Sequence, residues 1–171
     1  MTLAIMRNTR LFISAVFVTA LVAVGTLFAN TPGDLKIPAG FQHWYLANSM
    51  LVTKEPNKFG LITGVHVIYV NPAGFARFKR GGSTPYPDGT ILVDDVREFS
   101  MDDGAYQEGA RKFIPVMVKN SKKYASTGGW GFQAWANGDP TKPVVNDSMK
   151  QCYGCHMPNK ESDYLFSTYL R

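Results

Sequence analysis

Cysteine is scarce in this 171-residue chain, with two residues, and histidine nearly so, with three. A single cysteine pair excludes a disulfide-stapled scaffold, which needs several bridges to replace a core. Long apolar patterns at i, i+3, i+4, i+7 are missing beyond the first thirty residues, which argues against a helical bundle. Internal repeats and low-complexity stretches are also lacking. Nor is there a strong excess of one charge: 18 Lys and Arg face 13 Asp and Glu, a formal +5. Without Arg7 and Arg10 of the leader described next, 16 basic residues face the same 13 acids, a balance of +3. That is too mild and too scattered for a nucleic-acid partner. The pairs Lys79-Arg80 and Lys122-Lys123 read as solvated surface charge, with docking of an acidic partner as the sharper alternative. What the chain does have is 45% hydrophobic residues, enough for one core and one domain.

Arg7 and Arg10 precede an uncharged apolar run over residues 11–28. This reads as an export signal over residues 1–29, or as an N-terminal membrane anchor through residues 11–29, because the run approaches spanning length. Ala29 offers a cleavage position, although Leu27 is larger than usual two residues before it; residues 23–25 offer a second. In either case residues 30–171 form the folded domain and face the periplasm.

Both cysteines lie in Cys152-Tyr-Gly-Cys155-His156, with residues 157–171 after it. Four chemistries compete for this motif. In c-type attachment, two thiols on one turn add to the haem vinyls and the adjoining histidine becomes an axial iron ligand. A thioredoxin-like redox pair needs a βαβ setting that is not evident here. Zinc would need a fourth ligand, His43 or His66. A plain disulfide leaves His156 without a task. An exported chain carrying this motif reads as a cytochrome with one covalently attached haem c, bound through Cys152, Cys155 and His156, with His156 on the iron.

Met157 and Pro158 follow the motif at once, so the pocket must come from residues before it. Those residues read as short strands: 61–70, ending at Asn71-Pro72; 91–99, after the turn cluster of residues 85–90; 113–119; 130–136; and, less clearly, 41–51. Helices are few. Asn71 caps one that starts at Pro72 and stops at Gly81-Gly82. Asp147 caps another that carries residues 152–156 and stops before Pro158. The fold class is α+β: a mostly antiparallel β-sheet with short helices and a C-terminal haem-attachment helix.

Tyr69-Val-Asn-Pro72, Asp88-Gly-Thr90, Trp130-Gly-Phe132 and the late motif at residues 152–156 resemble, in order and spacing, the cytochrome P-460 family and its relatives the β-type cytochromes c-prime. The resemblance covers roughly residues 37–171. It implies a β-rich monohaem cytochrome c, a homodimer, with a proximal histidine and a distal side open to nitric oxide or hydroxylamine. The family's hydroxylamine-oxidising members carry a lysine cross-linked to the haem and a proton-accepting glutamate. The matching positions here are Asp94 and Val116, and residues 91–99 hold no lysine.

Strand alternation puts Leu92, Asp94 and Val96 on one face, and Ile91, Val93, Asp95 and Arg97 on the other. Asp94 is then either an acid paired with a surface Lys or Arg, or a distal acid–base group above the iron. His66 is either a hydrogen-bonded core residue or a distal donor or sixth ligand; His43 is a weaker candidate for the same roles. Other candidate sixth ligands are Met50, Met101, Met117 and Met149. Two or three of Phe41, Trp44, Phe75, Phe78, Trp130 and Phe132 are expected to touch the porphyrin. Three functions follow: nitric-oxide or hydroxylamine binding or redox processing at an open iron, a peroxidase-like reaction using Asp94, or electron transfer to a periplasmic redox partner through a six-coordinate haem.

Overall fold

In the computed structural model, residues 34–54 and 63–169 are described. The expected leader and residues 61–62 of the second expected strand lie outside them. The β-branched and aromatic runs become five strands: β1 (Tyr45–Val52), β2 (Gly64–Val70), β3 (Ile91–Asp102), β4 (Ala105–Lys119) and β5 (Trp130–Ala136). They form one antiparallel sheet in chain order, a meander in which each strand pairs with the next.

Two strands run further than the sequence suggests. β3 continues to Asp102 and β4 starts at Ala105, joined by Asp103 and Gly104, both with positive φ (44° and 78°). This is the geometry of a two-residue hairpin turn, and Asp-Gly is its favoured pair. The expected first strand is shortened instead, because Phe41–His43 forms a 3-10 turn before β1.

Between β2 and β3 the chain forms α1 (Pro72–Arg80). Asn71 caps it by accepting the Gly74 N–H at 3.1 Å, and the same oxygen accepts the Ile91 N–H at 3.0 Å. Its amide group donates to the Gly89 carbonyl at 2.8 Å. One side chain thus fixes both the start of the helix and the start of β3.

The sheet has two apolar faces. On one, Phe41, Val93, Ile114, Val116 and Trp135 form a closed core. On the other, Val70, Phe78, Tyr86, Leu92, Trp130, Phe132, Tyr164 and Leu165 pack together, with Ile68, Met117 and Cys152 at their margin. Each fully buried Val, Leu or Phe contributes about 1.5–3 kcal/mol. Residues 142–145 run along the outer edge of β5, where Val144 donates to the Ala134 carbonyl and Ala136 to that of Lys142. They lead into a segment of mixed turns: a π-helical turn (Met149–Tyr153), α2 (Gly154–His156) and a 3-10 helix (Met157–Ser162). Asp147 caps it as expected, accepting the Lys150 N–H at 3.1 Å. The helical turns do not stop before Pro158. The proline sits in the first turn of the 3-10 helix, where its missing N–H has no partner to lose.

Candidate functional site

The segment over residues 149–162 crosses the second apolar face of the sheet and leaves a cavity of about 350 Å³ between them. Cys152, Cys155 and His156 line one wall. Their spacing brings the two thiols to the cavity from successive turns; Cys152 is half-buried and Cys155 exposed. His156 is held between Phe132 and Phe166, with ring centroids at 5.1 and 4.8 Å. Its Nδ1 lies 2.7 Å from the Tyr164 carbonyl oxygen. A carbonyl only accepts, so Nδ1 carries the proton and Nε2 keeps the lone pair, the form that binds a metal. Burial pushes the His156 pKa below its ordinary value, outweighing the carbonyl that raises it, which keeps the ring neutral.

The facing wall is the sheet. Ile68, Leu92, Val96, Phe113, Pro115, Met117 and Phe132 make it apolar, and Asp94 is the one carboxylate among the described lining residues. Asp94 Oδ2 lies 2.7 Å from Nδ1 of His66, which is 2% exposed and also lines the cavity. Asp94 Oδ1 is buried with no hydrogen-bond partner. An orphaned acceptor of this kind costs on the order of 1–3 kcal/mol, so its presence in a cavity calls for a ligand that donates to it. The β3–β4 ladder has pairs at Val93↔Val116 and Val96↔Phe113 but skips Asp94 and Asp95 between them. Pro115, which has no N–H to donate, lies in that gap.

The cytochrome P-460 family model matches residues 38–167. The chain belongs to the cytochrome P-460 family. It is therefore a c-type haem cytochrome, and none of the curated proteins matches it. Membership in the P-460 family can be tested on the cavity itself. An apolar slot with a neutral, carbonyl-anchored histidine and two thiols on one wall fits a haem c. The competing uses of the motif fit less well. Burial, with a smaller effect from Cys155, pushes the Cys152 thiol up to about 11, opposite to the depression that a redox pair requires. Among the described residues no three His, Cys, Asp or Glu side chains gather to hold a metal ion such as zinc.

Against the P-460 pattern, the position of the cross-linking lysine is Asp94, on the cavity. Val116, at the glutamate position, is 1% exposed; it packs in the core of the opposite face and is also among the cavity-lining residues. Its neighbours Pro115 and Met117 line the cavity and are not acidic. The structure corrects one expectation for Asp94: its partner is His66, not a surface Lys or Arg. The arginine pairing falls to Asp95, which binds Arg111 at 2.7 Å and Arg97 at 3.1 Å on the other face. Among the proposed sixth ligands, His66, Met50 and Met117 line the cavity; His43, Met101 and Met149 do not. Two or three of six aromatics are expected to touch the porphyrin; of the six, Phe132 lines the cavity. Phe41 and Trp44 belong to the opposite core, while Phe75, Phe78 and Trp130 pack with the cavity-side core beyond the lining. Phe113 and Phe166 complete the aromatic wall. Phe113 shares a strand face with Met117 and was findable by alternation; Phe166 follows an irregular chain that carries no such signal.

Proposed function

We propose that this protein is an exported, periplasmic monohaem cytochrome that binds or redox-processes small nitrogen species, nitric oxide or hydroxylamine, at an open distal side of its haem. Cys152 and Cys155 would hold the cofactor covalently, and His156 Nε2 would be its axial ligand. When bound, the haem supplies an iron that exchanges one electron and takes a small ligand. The chain does the rest. Phe132 and Phe166 fix the plane of His156, and the apolar wall keeps bulk water from the ligand. Asp94, held by His66, would receive a hydrogen bond or a proton from the N–H or O–H of hydroxylamine; nitric oxide has neither and would rely on the iron and the apolar wall. The buried, unpartnered Asp94 Oδ1 carries this reading, because it is an acceptor with a cavity in front of it. We further propose a homodimer, as the resemblance implies, with no nucleic-acid partner.

A second reading, electron transfer to a periplasmic partner, is favoured by the presence of Met50, Met117 and His66 on the cavity as sixth ligands. The absorption spectrum of the ferrous protein, made in a host with cytochrome c maturation and recorded with and without carbon monoxide, separates the two. An open site is expected to give a high-spin spectrum that shifts with carbon monoxide. A low-spin spectrum that ignores the gas would replace ligand binding by electron transfer.

A further inference from the structure

The carbonyl that anchors His156 belongs to an unusual corner. Asp163 and Tyr164 are consecutive non-glycine residues in the left-handed region, with φ of 54° and 70°. Such a pair persists only where its surroundings over-determine it. Here they do. Lys119, at the end of β4, places its Nζ 2.8 and 2.9 Å from the two Asp163 carboxylate oxygens, with both side chains buried. Asp163 Oδ2 also accepts the Tyr86 N–H at 2.7 Å, and the Asp163 carbonyl accepts Trp130 Nε1–H at 2.9 Å. Lys119 donates a further bond to the Gly128 carbonyl at 3.1 Å. Gly128, itself at φ 66°, makes room for the Tyr164 ring: a Cβ there would stand 2.2 Å from it.

A buried ion pair is weak evidence for stability, because desolvating two charges offsets most of their attraction. Its location points to another role. We propose that Lys119 and Asp163 are positioning residues for the axial histidine: their ion pair holds the corner that aims the Tyr164 carbonyl at His156 Nδ1–H. This rests on the reading of His156 as the iron ligand. A firm acceptor at Nδ1 fixes the tautomer and ring plane, and it raises the basicity of Nε2. Loosening the corner weakens that acceptor, so the oxidised iron loses more stabilisation than the reduced iron and the reduction potential rises.

The test uses the ferrous, diamagnetic holoprotein, as its carbon monoxide adduct or, where none forms, as it stands, with nitrogen-15 in its histidines. The variant Lys119→Met/Asp163→Ala is expected to speed solvent exchange of the His156 Nδ1 proton at least tenfold and to raise the reduction potential, at unchanged haem content. The control Arg111→Met/Asp95→Ala removes an ion pair on the opposite face; it is expected to lower the melting temperature and move neither signal. Gly128→Ala reaches the same carbonyl through the Tyr164 ring and leaves both side chains of the ion pair in place, and it should shift both signals in the same direction even where the double variant does not fold. Unchanged exchange and potential in these variants, or an equal change in the control, overturns the inference alone. A wild-type His156 ring without the nitrogen shift of an iron-bound imidazole overturns the ligand assignment and the inference together.

Discussion

Asp94 and His66 form a pair in which one carboxylate oxygen is spent on the imidazole and the other faces the cavity. That division makes the cavity selective by hydrogen-bond character. Hydroxylamine has protons to give Asp94; carbon monoxide has none. Asp94→Ala is therefore expected to weaken hydroxylamine binding about tenfold, the equivalent of a charged hydrogen bond of about 1.5 kcal/mol. Carbon monoxide affinity and haem content should stay as they were. Equilibrium titration of both ligands against the holoprotein checks this, and equal affinity for hydroxylamine in the variant would refute the role of Asp94. The variant also leaves the nearly buried His66 without its carboxylate, so a modest loss of stability is expected beside the binding effect.

At the scale of the elements, β3 carries a different acid on each face. Asp94 serves the cavity, whereas Asp95 is buried against Arg111 and Arg97. Burial pushes the Asp95 pKa up, but the hydrogen bonds and charges of the two arginines outweigh it and hold the carboxyl below its ordinary 3.8. A carboxylate depressed in the folded state stabilises the fold fully above its unfolded pKa, and that contribution is lost as pH falls through the folded value. Asp95→Asn is thus expected to lower the urea midpoint at pH 7, with the gap from wild type closing below about pH 4. A gap of constant size down to pH 2 would show that the pairing contributes nothing through charge. The strands were legible because their apolar residues alternate against two buried faces; the residues of β3 fall on the faces that period two assigns. The outer half of the β3–β4 hairpin was not read to its end: Phe99 and Met101 alternate with Glu98, Ser100 and Asp102, and Asp103-Gly104 was a signal in plain view, but these residues are largely exposed and no buried face marks them. The motif at residues 152–156 was legible from its residue types and spacing. The partners of Asp94 and Lys119 were not, because they lie 28 and 44 residues away and depend on strand register and on an irregular corner.

Across the whole molecule, the sheet is a partition. One face closes on its own core; the other is covered in part by α1, through Phe75 and Phe78, and over the cavity by chain that is neither strand nor regular helix. The turns over residues 149–162 pack chiefly on one another, and their firm ties to the sheet come just after them, through Asp163, Tyr164 and Leu165. Such a stretch is expected to open as a separate unit, at a free-energy cost below that of global unfolding. A cofactor joined to Cys152 and Cys155 and lodged against the sheet would close that unit down. Amide hydrogen exchange is expected to show residues 149–162 exchanging far faster in the apoprotein than in the holoprotein, while the centres of β3 and β4 stay protected in both. Equal protection of residues 149–162 in the two forms would mean that the segment is already locked before the cofactor arrives. On the proposed attachment the haem would be a latch as well as a cofactor: the part of the chain that would hold it is the part that most needs holding.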